Sequence, residues 1–339
     1  MGKLFQDMRY GARMLLKSPG FAVVTILALA LGIGANSAIF SVVNGVLLRP
    51  LPYPTADRLV FLSEWSQQVP NMSVAYPNFQ DWRAQTRTME TMAAFRSNSF
   101  ALTGADGPER LAAREVSQSF FPALGVAPAA GRNFLADEDK PGAERAVIIS
   151  HGLWQRRFGA NPAVLGQPLT MNDDSYTVVG VLPQEFEWQA PVDLWVPIGL
   201  GADRMQNRGN HPGIYVVGLL KPGVTVEAAR ADMEDILGRL RQQFPQEIGN
   251  NSFTIQTLQN RATDGLRAAL WVLMAAVGFV LLIACANVAN LLLARSASCS
   301  RRGASRRSPR PSRTAFRRSF CRTSGSTRAC SLSPSARRS

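Results

Sequence analysis

Two long apolar runs divide the sequence into a leader, a central region and a tail. The first run covers residues 21–48 and the second covers residues 268–294, and neither contains a charged side chain. Since an α-helix rises about 1.5 Å per residue, each run would reach about 40 Å, more than the roughly 30 Å hydrocarbon core of a bilayer. The pattern predicts transmembrane helices over 21–48 and 266–295. A cleaved signal peptide is the alternative for the first run, although its apolar stretch would be only about 7 to 15 residues long.

The region between the runs alternates between two hydrophobic periods. Apolar residues three or four apart predict helices, whereas alternating or short continuous apolar stretches predict strands. The predicted helices cover residues 77–95, 150–158 and 225–244. The predicted strands cover residues 58–64, 100–103, 110–116, 146–149, 193–198, 213–220 and 252–258, with a hairpin over 167–181 that turns at 172–174. Because these elements do not form regular βαβ units, we expect an α+β domain over 49–265, in two subdomains with residues 110–200 inserted as one piece.

Charge sets the expected orientation of these segments. Residues 1–20 hold four basic and one acidic side chain, and residues 295–339 hold 13 arginines and no acidic residue. Lys and Arg close to a span remain in the cytoplasm, so we expect both termini inside and residues 49–265 outside the bacterial inner membrane. The pI of about 10.5 belongs to the flanks and does not predict a nucleic-acid partner.

The leader itself has a helical spacing of apolar residues. Phe5, Met8, Ala12, Leu15 and Leu16 recur three or four positions apart. The spacing predicts an amphipathic helix over residues 1–20 that lies on the cytoplasmic membrane surface, in contact with lipid. The alternative is a disordered basic leader that only sets the topology.

Small and polar residues within the apolar runs predict packing between helices. Small side chains let another helix approach closely, and amide or hydroxyl groups are costly against lipid tails. An alternative is that the small residues merely tolerate lipid. The predicted packing residues are Ala28, Gly32, Gly34, Asn36, Ser37, Asn44, Asn287 and Asn290.

The sequence offers little that predicts catalysis or metal binding. Its two histidines, His151 and His211, are 60 positions apart and have no metal-ligand spacing around them. Ser150 stands where a helix N-cap is expected, which favours a capping role. The acidic cluster at residues 137–139 reads as a solvated loop rather than a cation site. No phosphate-binding loop occurs, so any ATP would be bound by another subunit, and the region 49–265 lacks cysteine and cannot form disulfides.

Several stretches together resemble one family. They are LALGIGANSAIFSVVNGVLLRPLPYP at 29–54, SHGLWQRRFG at 150–159, YTVVGVLP at 176–183, LKPGVTVEAARADM at 220–233 and LLIACANVANLLLAR at 281–295. They resemble the MacB-like, FtsX-type ABC transporter permeases, in particular the duplicated orphan permeases. The resemblance implies a large periplasmic core domain after the first span, three further spans and a cytoplasmic ABC ATPase partner whose hydrolysis moves the spans. It also implies a dimer or a second permease half.

The tail departs from that pattern after Arg295. Residues 296–339 include 12 arginines, 13 serines and one leucine, a composition that cannot bury a core. We expect a disordered tail produced by out-of-frame translation, so that the chain is truncated after its second span. An arginine-rich arm that binds anionic lipid or nucleic acid is the alternative.

Two functions remain open at this stage. The first is a permease subunit that couples a partner's ATP hydrolysis to motion of the outer domain for export or envelope remodelling. The second is a membrane-anchored periplasmic binding or sensor module without an ATPase, or a truncated product with no function. Neither requires catalytic residues in this chain.

Overall fold

The computed structural model describes residues 19–44, 51–103 and 109–304. The predicted leader helix, apart from residues 19 and 20, and the tail beyond residue 304 lie outside these residues. The helices are α1 (Pro19–Val43), α2 (Tyr76–Gln85), α3 (Phe120–Leu124), α4 (His151–Phe158), α5 (Val226–Gln243), α6 (Pro245–Ile248) and α7 (Leu258–Ala304). The strands are β1 (Leu59–Trp65), β2 (Met89–Leu102), β3 (Glu109–Val116), β4 (Ala130–Gly131), β5 (Ala146–Ile149), β6 (Pro168–Met171), β7 (Asp174–Val181), β8 (Leu194–Pro197), β9 (Tyr215–Leu220) and β10 (Ser252–Thr257).

All ten strands of the described residues belong to one mixed sheet. Its order is β10-β1-β9-β2-β3-β8-β5-β7-β4, and β6 pairs with both β2 and β7. Among the strand pairs that the structure describes, only β3–β8 and β5–β7 are parallel. The segment that was expected as an insertion supplies the strands from β3 to β8, which occupy one side of the sheet. Residues 26–281 form one compact unit, whereas residues 19–25 and 282–304 are helical ends assigned to another. The predicted mixture of helices and sheet in this region is confirmed.

On the side of the sheet that contains β10, β1 and β9, strand β1 is buried on both faces. Val60 and Leu62 of β1 pack into a core beneath α2 and α5, whereas Leu59 and Phe61 pack into a second core that contains α3. Successive side chains of a strand point to opposite faces, so this strand needs apolar residues at consecutive positions. That requirement explains why its sequence reads as a continuous apolar run.

The other side of the sheet, which runs from β2 through β3, β8 and β5 to β7, closes on itself through β6. Its pairing with β2 and β7 completes a ring of pairings β2-β3-β8-β5-β7-β6. Every strand of the ring contributes side chains to a third core, which includes Phe100, Leu111, Val147, Leu169, Tyr176 and Val196. The ring gives this side of the sheet a core of its own.

Short-range signals predicted several elements correctly. The strand over 146–149 is observed, and Ser150 caps α4 by accepting a hydrogen bond at 3.0 Å from the Leu153 amide. The predicted hairpin is also present. Asn172 and Asp173 both have positive φ, the conformation that a tight two-residue hairpin requires.

The helix predicted over 77–95 is wrong beyond Gln85. Phe79, Trp82, Met89 and Met92 continue a helical spacing, but α2 ends at Gln85 and β2 begins at Met89. Strand β2 is buried on both faces, since Met92 faces one core and Ala93 the other. A strand buried on both faces lacks the alternation that would distinguish it from a helix.

The two apolar runs are helical where they are described. By length and composition no single described helix qualifies as a membrane span on its own. Leu258–Leu266 and Ala268–Ile283 qualify together, across a bend of 54°, and the apolar helical piece Ala30–Val43 is shorter. The spans over 21–48 and 266–295 stay predictions.

Helix α7 continues to Ala304, into the first nine residues of the segment expected to be disordered, and the disorder of the tail stays a prediction. Extending an existing helix gains one hydrogen bond for each residue that is added and avoids the cost of nucleation. Residues 296–304 also include alanine and arginine, which are good helix formers.

Candidate functional site

The chain enters and leaves the folded domain at the same end of the sheet. Strand β1 pairs antiparallel with β10, with Val60 opposite Thr257 and Trp65 opposite Ser252. In an antiparallel pair, the start of one strand lies beside the end of the other. The segment before β1 and the helix after β10 are therefore neighbours, and both lead directly into the apolar runs.

The entry segment, residues 51–58, is held by contacts with three parts of the domain. Tyr53 donates a hydrogen bond to the Glu187 carbonyl at 2.5 Å, and Thr55 donates one to the Ala123 carbonyl at 2.9 Å. Arg58 donates to the Leu220 carbonyl at 2.9 Å and forms an ion pair with Glu90. The prolines in this segment remove backbone donors and restrict φ, so side chains provide much of its attachment.

The exit helix α7 begins inside the domain. Leu258 is buried in the same core as Phe61, and the guanidinium of Arg261 lies 4.8 Å from the centre of the Phe61 ring. This cation–π contact joins the first turn of α7 to the first strand. A displacement of α7 would therefore act on β1 as well as on β10.

A turn at Gln189 completes this region. The Ala190 amide donates to the Trp188 carbonyl at 2.6 Å, and Gln189 has φ of 57°. A three-residue turn with positive φ is a strained backbone conformation that persists only where its surroundings hold it. Trp188 provides that support, because it is 2% exposed and its ring lies 5.9 Å from that of Tyr53.

These three segments surround a cavity of about 390 Å³. Its lining residues are Leu51, Tyr53, Trp188, Gln189, Leu258, Arg261 and Ala262. Burial and the nearby Glu187 carboxylate raise the pKa of Tyr53 to about 12, so its hydroxyl stays protonated and remains a donor. We call this arrangement the junction. It brings the entry segment, the exit helix and the Gln189 turn together around one cavity.

The predicted packing residues lie in α1 and α7. Gly32 is buried, Asn36 is half-buried, and Asn36 donates to the Gly32 carbonyl at 3.1 Å within the same helix. Gly34, Ser37, Asn44 and Asn290 are exposed, and the side chains of Ala28 and Asn287 lie outside the described residues. Apart from the bond between Asn36 and Gly32, the described contacts join none of these residues to one another. Their role in helix packing stays a prediction.

The three residues of the acidic cluster at 137–139 do not form a common site. The acidic cluster is divided, because Asp137 pairs with Lys140, Glu138 pairs with Arg132, and Asp139 accepts from the Gln118 and Gly199 amides. Burial raises the pKa of Asp139. The expectation that residues 137–139 form a solvated loop is therefore wrong for Asp139. Within the described residues, no group of three or more His, Cys, Asp or Glu side chains could hold a metal ion.

The sequence did not predict the junction residues as a group. Tyr53 lies in the proline-rich exit from the first run, Trp188 in an unassigned segment and Arg261 beside the second run. The available signal was that the first and last predicted strands each adjoin an apolar run. That signal located the region without identifying its contacts.

Comparison with known proteins then assigns the family. Residues 22–236 match the model of the MacB-like periplasmic core domain, which is more than half of the chain. The chain belongs to the MacB-like periplasmic core domain family. The match begins in the first apolar run and ends within α5. It confirms the resemblance to MacB-like ABC transporter permeases that the sequence motifs indicated.

Solved structures of similar domains are more distant. The periplasmic region of MacB from Actinobacillus actinomycetemcomitans has 12% identity and a TM-score of 0.47, covering 68% of this chain and 98% of that one. The extracellular domain of the noncanonic ABC-type transporter YknZ from Gram-positive bacteria has 13% identity and a TM-score of 0.43, covering 58% of this chain and 99% of that one. No curated protein matches the sequence. The MacB-like domain of this chain is thus assigned by the family model.

Proposed function

We propose that this chain is a permease subunit of a MacB-like ABC transporter and that its outer domain transmits motion. In this proposal, residues 21–48 and 266–295 cross the bacterial inner membrane, both termini are cytoplasmic, and residues 49–265 are periplasmic. A cytoplasmic ABC ATPase binds the ATP, and this chain contributes no catalytic residue. A second permease half or a second copy completes the assembly.

The junction is the observation that carries the proposal. Because β1 and β10 are adjacent and antiparallel, relative movement of the two apolar segments acts on neighbouring strands of one sheet. Arg261 and Phe61 connect the exit helix to the first strand, so movement of the first turn of that helix acts directly on β1. A domain attached in this way is suited to convert movement of spans into movement outside the membrane, for export or envelope remodelling.

Dipolar broadening in continuous-wave electron spin resonance, which reports short distances between spin labels, tests this coupling on the full chain. The chain is purified from membranes with the ABC ATPase that accompanies it, after the native cysteines are replaced by serine. One spin-labelled pair, D57C and A262C, reports on the junction, and a control pair, Q68C and N250C, reports on the opposite end of the same two strands. All four positions are exposed.

The expected result is an ATP-dependent change of about 2 to 5 Å in the junction pair, the size of a helix shift, with no change in the control pair. If no ABC ATPase accompanies the chain, or if ATP and ADP give the same distances, the coupling proposal is wrong.

The second candidate function is a membrane-anchored binding module without an ATPase. One observation favours it, namely a cavity of about 500 Å³ with several arginines in its wall, which lies in the folded domain away from the junction residues. Under this alternative, ligand binding would persist and the junction distances would not respond to nucleotide.

A further inference from the structure

A polar cavity lies where strands β2 and β3 meet the β6–β7 turn and the segment before β9. Its volume is about 500 Å³, within the range of small-molecule sites. The charged side chains in its wall are Arg96, Glu115, Arg145, Asp174 and Arg204. Arg145 and Asp174 form an ion pair with each other at 3.1 Å. The other three charges decide which ligand the cavity suits.

Glu115 orients Arg96 by accepting a hydrogen bond from its Nε atom and leaves the two terminal amino groups of the guanidinium without a partner from Glu115. Glu115 is 8% exposed, and one of its oxygens accepts from Arg96 Nε at 2.5 Å. Its other oxygen accepts from Asn98 Nδ2 at 2.5 Å. Among the described residues no acceptor contacts the terminal amino groups of Arg96. A guanidinium held through Nε in this way still presents its terminal N–H groups to a further acceptor.

Arg204 borders the same part of the cavity. It lies in the 3-10 segment Ile198–Met205, in which residues three apart are aligned on one face. Gly201 is three residues before it, and a Cβ on Gly201 would lie 3.9 Å from Arg96 Nη2. Arg204 is exposed, and no described residue forms an ion pair or hydrogen bond with it. The Arg96 guanidinium is therefore half-buried and oriented, and the exposed Arg204 guanidinium remains available to a ligand.

The rest of the wall combines apolar and amide groups. Phe100, Val196 and Leu200 supply apolar surface, and Asn172 and Asn210 supply amides. The negative charge of Glu115 offsets the positive charge of Arg96, and the negative charge of Asp174 offsets that of Arg145. The wall of the cavity therefore has one uncompensated positive charge, that of Arg204. A ligand that matches this wall carries one anionic group and a compact apolar body.

We propose that this cavity binds a small organic carboxylate, with the carboxylate between Arg96 and Arg204 and the apolar body against Leu200. Guanidinium groups bind carboxylates through paired, charge-assisted hydrogen bonds. The site does not depend on ATPase coupling, and it goes beyond the transmission of motion proposed above.

Fluorine NMR on the full chain in nanodiscs of zwitterionic lipid tests the site. The probe is 4-(trifluoromethyl)benzoate, and 4-(trifluoromethyl)benzamide is its uncharged counterpart. We expect saturable binding of the benzoate with a dissociation constant on the order of 1 mM, typical of a fragment, and at least tenfold weaker binding of the benzamide. Equal binding of the two probes, or no saturable binding of the benzoate, would overturn the proposal.

Two arginine variants separate the site from general electrostatics. R204Q removes an exposed side chain without a described partner, so the fold is retained, and we expect the benzoate to bind about tenfold more weakly. R110Q removes the same charge from β3, where Arg110 donates to Ser99 outside the cavity, and we expect unchanged binding. Equal weakening by both variants, or no weakening by R204Q, would show that the cavity is not the site.

Discussion

Glu64 is a buried carboxylate whose partners come from distant parts of the sequence. It is 3% exposed, and one oxygen accepts from the Ala75 amide at 3.0 Å and from Asn78 Nδ2 at 2.8 Å. Its other oxygen lies 2.9 Å from His211 Nε2. Removing one partner from such a buried network leaves an unpaired polar group, which is costly. Glu64 thereby joins β1, α2 and the segment before β9.

The hydrogen bond to Glu64 raises the pKa of His211, and stability should depend on pH as a result. A raised pKa in the folded state means that the contribution is complete below the unfolded value near 6.5 and is lost as pH rises through the folded value. We expect H211Q to lower the free energy of unfolding by about 1.5 to 3 kcal/mol at pH 5.5 and by less at pH 8.5.

Unfolding followed by tryptophan fluorescence measures this difference in the full chain. H151Q is the matched control, because His151 packs edge-on against Trp154 instead of facing a carboxylate. An equal loss for H211Q at both pH values would contradict the proposed role of the pair.

Gly199 occupies a position where any side chain would collide with the backbone. A Cβ there would lie 2.1 Å from the Asp139 carbonyl oxygen, and the Gly199 amide donates to Asp139 Oδ1 at 2.6 Å. We expect G199A to destabilise the domain by about 1 to 3 kcal/mol, the usual cost of overpacking. Gly238, in the middle of α5, has no neighbour within 4 Å of an added Cβ.

The opposite effect is therefore expected for G238A, which should stabilise the domain by up to about 1 kcal/mol because alanine is the better helix former. Thermal unfolding of the two variants provides the measurement. Similar changes in melting temperature for both variants would contradict this account of Gly199.

At the scale of elements, Asp232 secures the corner between α2 and β2. Its Oδ2 accepts from the hydroxyls of Thr86 and Thr88 and from the amides of Arg87 and Thr88, at 2.8 to 3.2 Å. These bonds satisfy backbone groups where α2 has ended and β2 has not begun. They explain how the chain passes from the end of α2 at Gln85 to the start of β2 at Met89 within three residues.

Removing this carboxylate should loosen the corner. We expect D232A to destabilise the domain by about 1 to 2 kcal/mol, comparable to the loss of a helix cap, and to increase amide hydrogen exchange at residues 86–88. D235A, an exposed position on the same helix, is the control and should change stability by less than about 0.5 kcal/mol. Unchanged exchange at residues 86–88 in D232A would refute this role of Asp232.

Elements were predictable where the signal is local. The strand over 146–149, the cap at Ser150 and the turn at Asn172 each follow from a few adjacent residues, and all three were predicted. The end of α2 depends on Asp232, which is 144 residues away from Thr88. Single-sequence reasoning assigned that stretch to a helix because the bonds that end the helix are not encoded nearby.

The contacts of the candidate site were even less predictable from the sequence, because they join residues that are far apart in the chain. The sequence indicated that the first and last strands adjoin the apolar runs, but not that they pair with each other. The contacts of Tyr53 with Glu187 and of Arg261 with Phe61 join residues more than 130 positions apart. The cavity of Arg96 and Arg204 likewise depends on pairing of β2 with β3 and on the placement of the 3-10 segment.

At the scale of the whole molecule, the family assignment and the junction lead to one arrangement. In the proposed arrangement, the MacB-like core domain lies outside the inner membrane. Both of its connections leave from one end of its sheet, where the start of β1 lies beside the end of β10. The charges of the flanks support the same orientation, because basic residues concentrate before the first run and after the second.

Labelling of a single cysteine in intact cells tests this arrangement most directly. Q68C, placed in an exposed loop after β1, is introduced into the full chain after the native cysteines are replaced by serine. Spheroplasts are then treated with a membrane-impermeant maleimide. We predict complete labelling of Q68C before the membrane is permeabilised. Labelling only after permeabilisation would place the domain in the cytoplasm and contradict the account.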